Sequence, residues 1–153
     1  MKFVKIISLF IIIPLILASC RRSYADTIAV GERIASSLGD TVAIYSSLKG
    51  EGERGYMPDD VREGLFRSPD DLPRDYTVIL SKRREVTLEI GIFKSESRSM
   101  SLDLCEMLLI RIDEVGEWTD ATGDVMMEGN LVIYYVTDTE IDLGSLCESA
   151  LKK

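Results

Sequence analysis

The sequence predicts an α+β fold: a small, mostly antiparallel sheet with helices packed on one of its faces. Three observations lead to this prediction. Two β-rich runs, residues 76–80 and 86–92, are joined by a charged turn, residues 97–115 repeat apolar side chains at helical spacing, and residues 130–137 form a further apolar strand. The predicted order is helix, irregular segment, hairpin, helix, strand and helix, which is typical of this fold class.

The first predicted element is a helix that begins after its N-cap, Asp26, and runs to about Leu38. Gly39-Asp40 provides the stop signal, and one apolar stripe runs along the helix, formed by Ile28, Ile34, Ala35 and Leu38. Residues 41–48 are short and apolar, so a strand and a further helical turn are both compatible with them.

The next segment is predicted to be mostly irregular. Residues 49–55 contain three glycines and four charged side chains, which indicates a loop. Pro58 and the two acids after it open a short helix, and Gly64 is expected to end it. Residues 68–74 contain two prolines and are expected to form a turn region.

The two β-rich runs are expected to be antiparallel neighbours joined by a turn at residues 82–85. In the second run, Val86, Leu88, Ile90 and Ile92 alternate with Thr87, Glu89 and Gly91. This alternation predicts one apolar face and one face open to solvent.

The longest predicted helix spans residues 97–115, and Gly116 is expected to end it. Its apolar stripe has one polar member, Arg111, whose stem should line the core while its head reaches solvent or pairs with a carboxylate. The stripe consists of Met100, Leu104, Met107, Leu108, Arg111, Ile112 and Val115. Residues 118–129 contain two glycines and two aspartates and are expected to form a loop.

The last two predicted elements are a strand and a helix. Residues 130–137 have little polarity on either face, which indicates an interior strand. The helix lies within residues 138–153 and carries Leu143, Leu146, Cys147 and Leu151.

The N-terminus has the pattern of an export signal. Lys2 and Lys5 precede a short apolar run, Ile6–Leu17, which small residues follow. The run is interrupted by Pro14 and is short of the roughly 20 residues that a membrane span needs.

The segment Leu17-Ala18-Ser19-Cys20 resembles the lipobox of bacterial lipoproteins. The resemblance implies that Cys20 receives a diacylglyceryl group and that the chain is cleaved before it. Residues 1–19 would then be a lipoprotein signal peptide, residues 20–25 a lipidated tether and residues 26–153 one globular domain. An ordinary signal peptide, or an uncleaved anchor with a chance cysteine, stays open as the alternative.

Charge and composition exclude several function classes. The first 19 residues hold two of the 18 basic residues and none of the 26 acidic ones, which leaves the other 134 residues with a net charge of −10. Such a domain repels nucleic acid, so no nucleic-acid partner is expected. The chain has no histidine, which removes Ser-His-Asp triads and histidine-containing zinc sites. No cofactor or metal site is expected.

Cys105 and Cys147 form an even pair in a chain that is expected to be exported, so a disulfide between them is permitted. Two buried thiols acting as small apolar side chains are the alternative. Asp138, Glu140 and Asp142 mimic the alternating acids of a calcium loop, but Ser149 stands at the twelfth position, where a glutamate belongs. Acids in the first turn of a helix explain them better.

Further segments resemble a family of small uncharacterised bacterial lipoproteins, mostly from Gram-positive anaerobes, that share a domain of unknown function. The lipobox comes first, and the other matching segments are Tyr56-Met57-Pro58-Asp59, Glu89-Ile90-Gly91-Ile92-Phe93-Lys94, Leu109-Ile110-Arg111-Ile112-Asp113 and Asn130-Leu131-Val132-Ile133-Tyr134-Tyr135. The resemblance covers roughly residues 56–137. It implies a fold and an address outside the cytoplasm, and it transfers no activity and no site residues.

Aromatic residues on the strands suggest a binding face. Adjacent Tyr134 and Tyr135 must point to opposite faces of the sheet, and one of them could share an open face with Glu89. Two tyrosines that only fill packing space are the alternative. The sequence thus favours a membrane-anchored extracytoplasmic module that binds an envelope protein or glycan, either through this face or through the Gly-rich loop and the loop around residue 120. A small carboxylate-dependent hydrolase, using acids such as Glu89 and Glu96, is the alternative function, and the placement of Glu89, Asp120 and Asp124 would test it.

Overall fold

In this computed structural model, residues 26–66 and 69–152 are described. The signal peptide, Cys20 and the tether that the sequence predicts lie outside the described residues. The helices are α1 (Thr27–Leu38), α2 (Asp59–Leu65), α3 (Arg98–Trp118) and α4 (Leu143–Leu151), and the strands are β1 (Val42–Ser46), β2 (Asp75–Ser81), β3 (Leu88–Lys94), β4 (Thr122–Glu128) and β5 (Leu131–Thr137). Among the described residues, no helix combines the length and the apolar character needed to span a bilayer.

The five strands form one sheet in the order β1-β2-β3-β5-β4, and every neighbouring pair is antiparallel. The predicted α+β class with an antiparallel sheet is therefore confirmed. The β2–β3 hairpin is confirmed as well, and β5 is an interior strand as its low polarity predicted. The open choice at residues 41–48 resolves to β1, which pairs with β2.

Helices cover both faces of the sheet, so the expectation of helices on one face is wrong. Alternate residues of β5 enter two separate cores: Ile133 packs in the core that α1 and α4 cover, and Tyr134 packs in the core under α3. The predicted open face at Thr87, Glu89 and Gly91 fails for the same reason, since Glu89 and Gly91 are buried. Period-two alternation shows that two faces differ in chemistry, but a buried ion pair and a glycine also produce that pattern.

Side-chain caps fix where the helices begin. Asp26 accepts a hydrogen bond from the Ala29 N–H, as predicted, and Ser97 caps α3 at the Met100 N–H. Asp142 caps α4 by accepting from the Ser145 N–H, so it lies at a helix N-terminus as expected, but none of the three acids of the calcium-like pattern lies in the first turn itself.

The end of α3 and the segment after it differ from the prediction. The helix continues through Gly116 to Trp118, where Thr119 ends it by donating its hydroxyl to the Val115 carbonyl and accepting from the Ala121 N–H. The expected loop at residues 118–129 is largely β4, an edge strand paired only with β5 in the described part of the chain. Gly129, at φ +62°, supports the tight connection between these two strands.

Candidate functional site

The centre of the α3 face holds a polar network of three side chains. Arg111, on α3, donates two hydrogen bonds to Glu89, on β3, at 3.0 Å from Nε and 2.9 Å from Nη2. The hydroxyl of Tyr134, on β5, donates to the same carboxylate. Of the two possibilities left open for the head of Arg111, the structure has the pairing with a carboxylate, and the three side chains together join α3 to β3 and β5.

Burial sets the charge state of this network. Tyr134 is fully buried, and burial followed by the charge of Glu89 raises its pKa well above 10.0, so the phenol stays protonated and serves as a donor. Burial acts to lower the pKa of Arg111, but the hydrogen bonds to Glu89 outweigh it and raise that pKa. The network therefore holds one cation, one anion and one neutral donor, and its net charge is zero.

Aromatic rings pack beside the network, in the core beneath α3. Phe93 stacks on Tyr134 and on Tyr76 at centroid distances of 6.1 and 5.8 Å, and Phe66 meets its edge at 5.7 Å. Gly91 lies opposite Tyr134 in the β3–β5 register, and a Cβ atom there would lie 2.2 Å from the ring. The glycine makes room for the ring whose hydroxyl reaches Glu89.

A groove of about 850 Å³ opens beside this network, between α3 and the segment that follows α2. Arg111 lines the groove and belongs to the buried network, and Phe66 lines the groove and contacts Phe93. Its lining consists of Leu65, Phe66, Asp70, Asp71, Leu72, Ser97, Ser99, Met100, Asp103, Leu104, Glu106, Met107, Ile110, Arg111 and Glu114. The volume lies within the range of small-molecule and peptide pockets.

The groove has an acidic border. Asp70 and Asp71 lie on one bank and Asp103 and Glu106 on the other, and all four are exposed. The only cation in the described lining, Arg111, is already neutralised by Glu89. A second recess beside α1 and β1 has a mixed border of two acids and three bases, Glu32, Asp40, Lys49, Arg54 and Lys82. Of these two recesses, the α3 groove is the one whose border is predominantly acidic.

The predicted binding face is not a surface. Glu89 is 7% exposed and Tyr134 is 0% exposed, so neither offers a contact to a partner, and that prediction is wrong for both. Tyr135 does point to the opposite face, as the alternation of a strand requires, and there it packs half-buried against the core under α1 and α4. The alternative, tyrosines that fill packing space, describes both residues.

The two cysteines lie on opposite sides of the sheet. Cys105 packs at the margin of the core under α3, whereas Cys147 is buried in the core under α1 and α4. Both thiols are free. The permitted disulfide is therefore incompatible with this fold, and the alternative of two apolar thiols fits. Burial raises the pKa of Cys147 to about 12, which keeps it protonated and unreactive.

The acids considered for hydrolysis do not converge. Glu89 is held by Arg111 on the α3 face, whereas Asp124 is paired in register with Tyr135 and lies exposed on the other face. Asp120 is exposed beyond the end of α3, and Glu96 is exposed just before its start. In the described part of the chain, no group of three or more Cys, Asp or Glu side chains is arranged to hold a metal ion.

Sequence reasoning missed the groove, and one signal pointed toward it. Arg111 was the polar misfit on an apolar stripe, and it marks the place where the buried face of α3 turns into the groove wall. The opposite bank, around Asp70 and Leu72, is an irregular segment whose position no periodicity could give.

Comparison with known proteins yields no family model, no curated protein and no solved structure that matches this chain.

Proposed function

We propose that this chain is a lipid-anchored extracytoplasmic binding module of the cell envelope, related to the small lipoproteins that it resembles. Cys20 would carry the lipid, and the groove beside α3 would receive the ligand. The ligand would thus bind in the groove and not on the sheet face that the sequence suggested.

One observation carries the proposal: the groove is a recess of about 850 Å³ that combines an apolar lining with acidic side chains on both of its sides. Large apolar side chains of the described residues are exposed at several places on the surface, and Ile110, which is 50% exposed, is the one of them that lies inside this recess. An exposed aliphatic side chain within a concave, partly apolar surface is typical of a binding site. The hydrolase alternative gains no support, because the acids named for it lie apart.

The lipid anchor is tested by the intact mass of the full chain purified from bacterial membranes. We expect a mass that corresponds to cleavage before Cys20 plus a diacylglyceryl group, and a Cys20→Ala variant that lacks the added lipid. A wild-type chain that begins at Met1, or one with an unmodified thiol at position 20, would refute the anchor.

The binding surface is tested by photo-crosslinking in intact cells, with benzoylphenylalanine placed at Met107 in the groove. Ile141, which is 45% exposed and outside the groove lining, provides the matched control position. We expect discrete adducts from position 107 that position 141 does not give. Equal adduct patterns at the two positions would mean that the groove is not a preferred surface.

A further inference from the structure

The apolar side chains of the groove lining form its floor, and this floor is adaptable. Met100, Met107 and Ile110 line it from α3, and Leu65 and Leu72 line it from the opposite bank. Methionine side chains are unbranched and polarisable, so a surface rich in them adjusts to apolar side chains of different shapes. Such a floor suits the apolar face of a peptide better than a small rigid molecule.

The banks of the groove select a charge. The four exposed acids, Asp70, Asp71, Asp103 and Glu106, border the floor on both sides. Arg67 belongs to the same stretch of sequence and lies outside the described residues, and even with its charge counted against them the acids are in excess. An acidic peptide would meet repulsion from both banks, whereas a basic one would find opposite charge on both.

The walls of the groove select a helix over an extended strand. The helix α3 forms one side of the groove, and its backbone groups are paired within the helix. An extended peptide would therefore find no strand edge to join there. A helical peptide satisfies its own backbone and needs only side-chain contacts. The lining residues of α3 run from Ser99 to Glu114, about 22 Å at a rise of 1.5 Å per residue, which matches about four helical turns.

From the apolar lining, the acids on both sides and the lack of a strand edge on α3, we propose that the groove binds a basic amphipathic helix of a partner protein. The apolar face of that helix would lie on the methionines, and its lysines or arginines would lie on the acids. This inference rests on the proposed function of the groove and adds the chemistry of the occupant.

The test uses the full chain in nanodiscs of zwitterionic phosphatidylcholine and a fluorescein-labelled, 14-residue amphipathic Lys/Leu peptide. Binding is measured by fluorescence anisotropy, with protein-free nanodiscs as the blank. We expect saturable binding above that blank, and weaker binding as salt rises, because exposed charge pairs are screened. Two comparison peptides are a Glu/Leu peptide of the same spacing and a Lys/Leu peptide of the same composition with its amphipathic order broken.

Two matched variants separate the groove from overall charge. The first neutralises the banks by Asp70→Asn, Asp71→Asn, Asp103→Asn and Glu106→Gln. The second removes the same charge elsewhere by Glu32→Gln, Glu51→Gln, Asp120→Asn and Glu140→Gln, all exposed positions outside the groove. We expect the first to raise Kd about tenfold and the second to change Kd less than about twofold, with circular dichroism confirming that both fold.

Each outcome has a distinct meaning. Equal loss in both variants, or no binding of the amphipathic Lys/Leu peptide, would overturn the basic-helix inference. A different outcome is that the Glu/Leu peptide or the reordered peptide binds, and that Ile110→Ser in the groove weakens this binding while Leu48→Ser outside the groove does not. This result would overturn the basic helix and leave the groove as a binding surface. The lipid mass measurement stands apart from all of these results.

Discussion

Replacing Arg111 by methionine should lower the free energy of unfolding by about 3 kcal/mol. Methionine keeps an unbranched stem in place and removes only the cation. With charge centres about 4 Å apart and an effective dielectric of about 20, the attraction to Glu89 amounts to about 4 kcal/mol. Removing one partner of a buried pair typically costs about 3–5 kcal/mol, and the 22% exposure of the Arg111 side chain places this pair at the lower end.

The assay is urea unfolding followed by far-UV circular dichroism. Fluorescence is a poor probe here, because the single tryptophan, Trp118, is already 87% exposed in the folded chain. Arg83→Met provides the matched control, since the Arg83–Glu85 pair has both side chains more than half exposed and should contribute less than about 1 kcal/mol.

A double variant isolates the pair itself. When Arg111→Met is combined with Glu89→Gln, no buried charge is left unpaired, and the amide oxygen introduced by the second substitution can still accept from Tyr134. We therefore expect stability within about 1 kcal/mol of the wild type. A single variant that costs no more stability than Arg83→Met, or a double variant as unstable as the single one, would refute a buried ion pair that stabilises the fold.

Three further predictions concern the same cores. Gly91→Ala should cost at least about 2 kcal/mol in the same unfolding assay, because the new methyl group would collide with the buried rings of Tyr134 and Phe93, and wild-type stability would contradict the packing. Because burial raises the pKa of Tyr134 well above 10.0, the unfolded state loses its phenolic proton first, so stability should be full below pH 10 and fall above it. Tyr134→Phe should make that fall shallower by up to about 1.4 kcal/mol per pH unit, and an unchanged slope would refute the assignment. In the folded chain a thiol reagent followed by peptide mass mapping should modify Cys105 faster than Cys147, whose pKa is raised to about 12 by burial, and equal rates would contradict the burial.

Local signals in the sequence were sufficient for the elements that depend on local chemistry. Asp26 caps its helix as predicted because it places an oxygen over a free backbone N–H group, which needs no knowledge of the fold. The predicted start of the longest helix at residue 97 is right to within one residue, since Ser97 is its N-cap. The β2–β3 hairpin follows from two β-rich runs and a charged turn. Gly116 misled because a glycine lowers helix propensity, but here Thr119 decides where α3 ends.

The tertiary arrangement was beyond local signals. Glu89 looked like a solvent-facing residue because its partner, Arg111, lies 22 positions away on another element. The edge strand β4 was hidden by its polar composition, since an exposed edge does not need a run of apolar residues. The groove depends on how the segment around Leu72 sits against α3, and nothing in the spacing of residues determines that distance.

The outer edge of β4 has a consequence for how copies of this domain behave when crowded. An unpaired strand edge is a template for joining sheets from neighbouring molecules. Asp124 and Glu128 stand on this strand, so two copies that paired edge to edge would bring carboxylates of the same sign together. The acids thus act against continuous sheet growth at this edge of the sheet.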